Sequence, residues 1–328
     1  MPSLTPGDSD RDVTKALVET GRWLQAQDYR FVTVTPATHQ INNTRGLVAR
    51  DVRCIFGWNR PFLPEQLQVD IFELLNSHSL LRAENGGLFQ SLVRFSTLDA
   101  GEALDTRLYA HSAYPTTEAD SVFFGPDTYR FAALIRAEVT ARPLGSSARI
   151  LDVGCGAGPG GIEAAICLKP LQPRLVLSDI NPKALQLAQV NADLAGLGGI
   201  HKCLGDLYKP VEGLFDLIVA NPPYLVDAQH RAYRHGGGAL GARLAERIVS
   251  EGLPRLAPGG RLVLYTGSAI VNGKDLFLDV VRPLLAEGHW NYRYRELDPD
   301  VFGEELQNPA YCDVERIAAV SLVVNSRA

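Results

Sequence analysis

The chain has 328 residues, enough for two domains or for one large domain with an appendage. It is 46% hydrophobic and 21% charged, an ordinary globular composition, and its formal net charge of −5 argues against tight nonspecific gripping of nucleic acid. No run approaches the ~20 apolar residues of a membrane span. The polar, acidic opening MPSLTPGDSDRDVTK lacks the apolar centre of a signal peptide, so a cytoplasmic location is the expectation. Cys54, Cys155, Cys167, Cys203 and Cys312 include no CxxC pair, which suits neither a metal site nor a disulfide framework. Reduced, mostly buried thiols are expected instead.

In chain order, the pattern predicts a polar amphipathic helix at 10–28, then the stretches RFVTVT and GLVARDVRCIFGW. Helical spacing in LPEQLQVDIFELLNSHSLL is followed by two strands, LFQSLVRFSTL and TRLYAHSAY. A helix, a short turn and a two-stranded wing resemble a winged helix. This segment has no excess of bases, so residues 1–121 read as a lid or substrate domain rather than a DNA reader. Residues 122–148 form a connecting segment, with Pro143, Gly145 and two serines as linker.

From Arg149 onward apolar runs alternate with helical patterns: RILDV, a helix over 160–168, RLVLSD, the helix after Pro182, HKCLGD, LFDLIVAN, a helix near 239–256, and GRLVLYTG. That alternation predicts an α/β domain over 149–328, a mostly parallel sheet with helices on both faces. NYRYREL and RIAAVSLVVN predict a closing pair of strands at a hairpin-like, antiparallel edge.

The strand ILDV runs into GCGAGPGG, where Gly154, Gly156 and Gly158 allow a tight turn and a close backbone approach to a ligand. The dinucleotide fingerprint fails, because its last glycine falls on Pro159. Asp152, two places before the first glycine, would repel a pyrophosphate but suits a cationic or amine-bearing ligand. Here the chain resembles the class I S-adenosylmethionine-dependent methyltransferases, whose Rossmann-like sheet has an antiparallel last strand. The resemblance implies a cofactor site of Asp152 and the three glycines, of Asp179 with Ile180 at the ribose, and of Asp206 with Leu207 at the adenine. For any one Asp the plainer reading is an N-cap or turn residue; taken together, in order and strand context, they read as a cofactor site.

After the next strand comes Asn221-Pro222-Pro223-Tyr224, where two prolines stop the ladder. In the resembling superfamily this NPPY motif marks enzymes that methylate a nitrogen conjugated to a planar group, such as a glutamine side chain or an adenine or guanine amino group. The side-chain oxygen of Asn221 and the carbonyl of Pro222 can accept hydrogen bonds from one amino group and align its nitrogen for SN2 attack. Tyr224 can stack on a planar substrate or lie against the sulfonium. These three residues are the catalytic candidates. His230, Arg231, Arg234 and His235 follow, then Gly236 to Gly238. They read either as a solvated face or as a flap whose cations meet a carboxylate.

The chain is similar over nearly its full length to a bacterial group of these enzymes with an extra N-terminal domain. The release-factor glutamine methyltransferases share NPPY, but their helical N-terminal domain does not resemble residues 1–120, which argues against a release factor as acceptor. By the same resemblance Asp127, Thr128, Tyr129 and Arg130 are candidates to hold the methionine end of the cofactor, with a helix start as the plainer reading. Tyr114 and His111 are candidates to face the crevice; a packed core histidine is the commoner case. Three functions stay open. One is S-adenosylmethionine-dependent N-methylation of a small molecule or protein side chain, with nucleic acid disfavoured. In the second, S-adenosylmethionine is itself the substrate and cyclises to azetidine-2-carboxylate, releasing methylthioadenosine. The third is a winged-helix regulator without catalysis.

Overall fold

The computed structural model describes residues 8–99, 106–227, 231, 233–238, 240–288 and 290–327. These divide into two compact units: Met1–Arg130 with Gly156–Pro159 and Gln186–Gly198, and Phe131–Cys155 with Gly160–Leu185 and Gly199–Ala328.

The first unit opens on α1 (Asp8–Ala26), which buries Ala16, Leu17, Thr20 and Leu24 along one stripe at helical spacing. Next come α2 (Pro36–Thr44), α3 (Val52–Phe56) and α4 (Val69–Ser77). Thr35 caps α2 through the Thr38 N–H, and Asp51 caps α3 through the Cys54 N–H. RFVTVT forms no strand, and GLVARDVRCIFGW contains α3. The segment LFQSLVRFSTL does not run as one strand. It splits into β2 (Phe89–Ser91), paired with β1 (Leu81–Ala83), and β3 (Val93–Asp99), paired antiparallel with β4 (Thr106–Ser112). At the break the Ser91 hydroxyl donates to the Val93 carbonyl at 2.6 Å and accepts the Val93 N–H at 3.2 Å, a local side-chain bonding that competes with continuous pairing where the chain changes partner strand. The expected connecting segment carries a full helix, α5 (Pro126–Ala141).

The sheet of the second unit holds β5 (Arg149–Val153), β6 (Arg174–Asp179), β7 (His201–Leu204), β8 (Phe215–Ala220), β9 (Leu256–Val271), the short β10 (Lys274–Asp275), β11 (Asn291–Asp298) and β12 (Arg316–Asn325). Its order is β11-β12-β9-β8-β5-β6-β7. Pairings from β9 through β7 are parallel; β12 runs antiparallel to β9, and β11 antiparallel to β12. The expected mostly parallel sheet with an antiparallel edge is therefore present. The helices after β5 in the chain are α6 (Pro159–Cys167), α7 (Pro182–Leu194), whose residues from Gln186 on belong to the first unit, α8 (Arg243–Gly252) and α9 (Leu276–Glu287).

α9 lies outside the expected elements, because Pro283 inside it breaks the helical signal. It holds because Asp275 caps it through the Leu278 N–H at 2.9 Å and because Phe277, Val281 and Leu285 are buried at helical spacing. They join Leu151, Val153, Phe215, Ile218, Leu262 and Val320 in one core. Burial of each large side chain contributes roughly 1.5–3 kcal/mol. Of the five free cysteines, Cys54, Cys155 and Cys203 are buried, while Cys167 and Cys312 are exposed.

Candidate active site

β8, β5, β6 and β7 lie side by side and parallel, so their C-terminal ends form one edge, the place where such sheets keep their ligands. At that edge of β5, Asp152 is 1% exposed, and its Oδ2 accepts the Gly161 N–H at 2.7 Å. Burial pushes this carboxyl up to about 8, with nearby Asp179 adding to the rise and the Gly161 bond opposing it. A Cβ on Gly161 would meet Asp152 Cβ at 2.9 Å and Leu175 at 2.8 Å, so the start of α6 closes on β5 only as glycine. Gly154, Gly156 and Gly158 all have positive φ, and a Cβ on Gly154 would meet nothing within 4 Å.

Asp179 ends β6, and its Oδ1 accepts the Asn181 N–H at 2.9 Å. Ile180 beside it is 64% exposed, apolar surface left open at the ligand edge. Leu207 is buried with φ +49°, and its carbonyl accepts the Ser178 hydroxyl at 2.8 Å. Asp206 carries a pairing that the sequence did not signal. Arg247 of α8 takes both its oxygens, at 3.2 and 3.0 Å, and Lys209 adds a contact at 2.8 Å. These bonds hold the carboxyl down at about 2.

At the end of β8 the side-chain amide of Asn221 is half-buried, and no group among the described residues takes it. The carbonyl of Pro222 likewise accepts no backbone N–H among them. Tyr224 is 6% exposed; its ring meets Phe302 edge-on at 6.1 Å and packs over Gly267 of β9, where a Cβ would lie 2.1 Å from the ring. No motif signalled the contact of Tyr224 with either residue.

The basic run beyond NPPY is paired with the chain's own acids. Arg231 takes Asp227 with two bonds, at 2.9 and 2.5 Å, and Arg234 contacts Asp227 and Glu305. Arg231 foremost keeps the Asp227 carboxyl down at about 2. His235 bridges to Leu225, and its Nδ1 accepts the Asp227 N–H at 3.2 Å. Gly236 is pinned by its N–H on the Leu225 carbonyl and by the Leu244 N–H on its own carbonyl. His230 lies outside the described residues.

The other candidates stand in the first unit, in structural contacts. Thr128 Oγ1 accepts the Gly125 N–H at 3.2 Å, which starts α5, and buried Asp127 pairs with Arg130 at 3.4 Å. Tyr129 accepts the Thr33 N–H at 2.8 Å; Tyr114 stacks on His39 at 3.9 Å. His111 is a packed histidine bonded to Ser96 at 2.8 Å. Asn191 of α7, which no motif singled out, is 1% exposed; its Oδ1 takes the Ala110 N–H at 2.6 Å, and its Nδ2 donates to the carbonyls of Ala110 and Ala157.

Residues 132–276 match the family model described as methyltransferase small domain. The "Putative protein N5-glutamine methyltransferase" of Methanocaldococcus jannaschii is 30% identical over 141 residues, 41% of this chain and 68% of that protein. The chain belongs to this methyltransferase family. S-adenosylmethionine is the methyl donor of the family, and the Rossmann-like sheet described above is its fold. The family member is also 38% identical to the release factor glutamine methyltransferase of Deinococcus radiodurans, over 35% of this chain and 44% of that protein. It is 33% identical to the ribosomal RNA small subunit methyltransferase C of Serratia proteamaculans, over 35% of this chain and 29% of that protein. It thus spans less than half of either of these two relatives. With an enzyme named for ribosomal RNA among them, the expectation against nucleic acid receives no support.

Proposed function

We propose that the chain is an S-adenosylmethionine-dependent N-methyltransferase whose acceptor is a nitrogen conjugated to a planar group, with a side-chain amide of a protein as the acceptor class. The observation that carries this reading is the Asn221 amide, half-buried at the end of β8 with no partner among the described residues, beside a Pro222 carbonyl in the same state. The amide is open to an incoming group, and two acceptors side by side suit an –NH2 group. The names of the glutamine-modifying relatives support the amide class.

The residues at the sheet edge fit the cofactor. The exposed face of Ile180 offers apolar surface to a purine, and the open turn at Gly154 admits close backbone approach. Asp179 would hold the ribose hydroxyls, Asp206 and Leu207 the adenine, and Asp152 with the glycine turn the amino-acid end. The bound cofactor supplies a methyl group made electrophilic by its sulfonium. The chain's own part is to orient the acceptor: Asn221 Oδ1 and the Pro222 carbonyl accept the two N–H bonds, which directs the nitrogen lone pair along the line of attack. Tyr224 walls the pocket. The proton leaves to solvent after transfer, so no general base is required.

Asn221→Ala tests this reading. Calorimetry is expected to show S-adenosylmethionine affinity within about twofold of wild type, while turnover falls roughly 100-fold or more. Asp179→Ala is expected to lose the binding itself. Full activity in Asn221→Ala, or loss of cofactor binding there, would refute the orienting role.

A further inference from the structure

Four buried side-chain nitrogens lack a hydrogen bond among the described residues, and three of them belong to the first unit: Arg94 Nη2, His39 Nδ1 and His111 Nδ1. Arg94 on β3 stands directly opposite His111 on β4, so both side chains project from one face of that ribbon. Ser96, two residues along β3, bonds His111 Nε2 at 2.8 Å and also contacts the Thr33 hydroxyl. His39 of α2 donates from Nε2 to the Trp58 carbonyl at 2.8 Å.

Arg94 is the unusual member. It is 3% exposed, yet among the described residues its side chain makes one hydrogen bond, from Nε to the Gly57 carbonyl at 2.8 Å, with the Phe31 ring 5.8 Å away. No carboxylate pairs with it among the described residues; the ionisable groups around it are Tyr29, Tyr114, Tyr129, His39 and His111. A buried guanidinium without an anion is among the least favourable arrangements a fold can hold, and its planar fork of donors matches an oxyanion.

We propose that this cluster binds a compact oxyanion, a carboxylate or phosphate group seated on the unbonded η-nitrogens of Arg94 between His39 and His111. The site lies within the first unit and does not depend on the methyl-transfer reading. Burial foremost, and then the charge of Arg94, lower the pKa of both imidazoles, to about 4 for His39. With Nε2 donating, the neutral His39 ring leaves Nδ1 as an acceptor; an anion on Arg94 favours its protonation and makes it a second donor. The Ser112 backbone interacts with His111 but closes no hydrogen bond of normal geometry on its Nδ1.

The test uses the full chain with 15N-labelled histidine, its imidazole signals assigned through His39→Asn and His111→Asn. Sodium acetate and sodium phosphate are titrated separately against sodium chloride at equal ionic strength. The proposal expects saturable shifts of the His39 and His111 signals with at least one anion, the tighter of the two naming the natural group. It expects Arg94→Gln to weaken binding at least about tenfold, the loss of one charge-assisted bond. Should Arg94→Gln not fold, Arg94→Lys keeps the charge but loses the fork, and weaker saturable binding is expected. No saturable shift with either anion, or equal shifts in wild type and the Arg94 variant, would overturn the site.

Discussion

Gly267→Ala is the substitution whose consequence the structure defines most sharply. Gly267 pairs with Ala319 in the β9–β12 ladder and has no positive φ, so alanine suits its backbone. The obstacle is Tyr224: a Cβ on Gly267 would lie 2.1, 2.3 and 2.9 Å from three atoms of that ring. Carbon atoms in contact sit about 3.5–4.0 Å apart, so the ring must retreat by roughly 1.5 Å. It has little room, being 6% exposed, edge-on to Phe302, with its own carbonyl close against Gly241. Overpacking of this kind costs about 1–3 kcal/mol. Because the ring ends the NPPY turn, its displacement shifts Asn221 and Pro222 as well, and a misplacement near 1 Å costs on the order of 100-fold in rate. The assay is a double-mutant cycle by urea unfolding on Gly267→Ala, Tyr224→Ala and the pair, with turnover beside it. Removal of the ring should relieve the clash, giving a coupling of at least about 1 kcal/mol. Coupling within about 0.5 kcal/mol of zero, or wild-type turnover in Gly267→Ala, would refute the reasoning.

Asp152→Asn should flatten the pH dependence of stability. With its folded carboxyl pushed up to about 8 from the usual 3.8, the folded chain holds a proton that the unfolded chain has released. Wild-type stability therefore falls as pH rises from about 4 to about 8, with a ceiling of roughly 5 kcal/mol on the loss. Asparagine can still accept the Gly161 N–H, so the variant should be the more stable near pH 8; parallel curves for the two proteins would contradict this. Arg247→Ala acts with the opposite sign. Asp206 is held down at about 2, so its pairing stabilises above the unfolded value near 4 and is lost as pH falls through 2. The side chains of Arg247 and Asp206 are 32% and 31% exposed, which limits the effect to about 0.5–1 kcal/mol at neutral pH. Urea unfolding near pH 7 and near pH 2 checks it, and an equal difference at both would count against the pairing.

The sheet was legible because RILDV, RLVLSD and FDLIVA are apolar runs too short for helices, separated by helical spacing. Glycine and proline carried most of the site: GCGAGPGG and NPPY mark strand ends through backbone chemistry that reads directly from residue type. What was hidden depends on partners distant in the chain. Arg247 lies 41 residues from the Asp206 it clamps, and Gly267 reads as one more residue of GRLVLYTG until Tyr224 is placed on it. α9 was masked by Pro283, and the split in LFQSLVRFSTL by a serine hydroxyl that competes with the ladder. Arg94 shows the limit most clearly: an arginine in a strand pattern reads as an outward-facing charge, and only the fold reveals it as buried without a carboxylate.

Methyl transfer is decided by mass spectrometry of the pure protein with S-adenosylmethionine, alone and with an added pool of cell proteins and RNA. Methyl transfer predicts unchanged cofactor in the first incubation. In the second it predicts S-adenosylhomocysteine, with a methyl group on a side-chain amide nitrogen of a protein; the same label on RNA would keep the reaction and overturn the acceptor class. Methylthioadenosine together with azetidine-2-carboxylate from the protein and S-adenosylmethionine alone, above the level without protein, would contradict methyl transfer and establish the cyclisation instead.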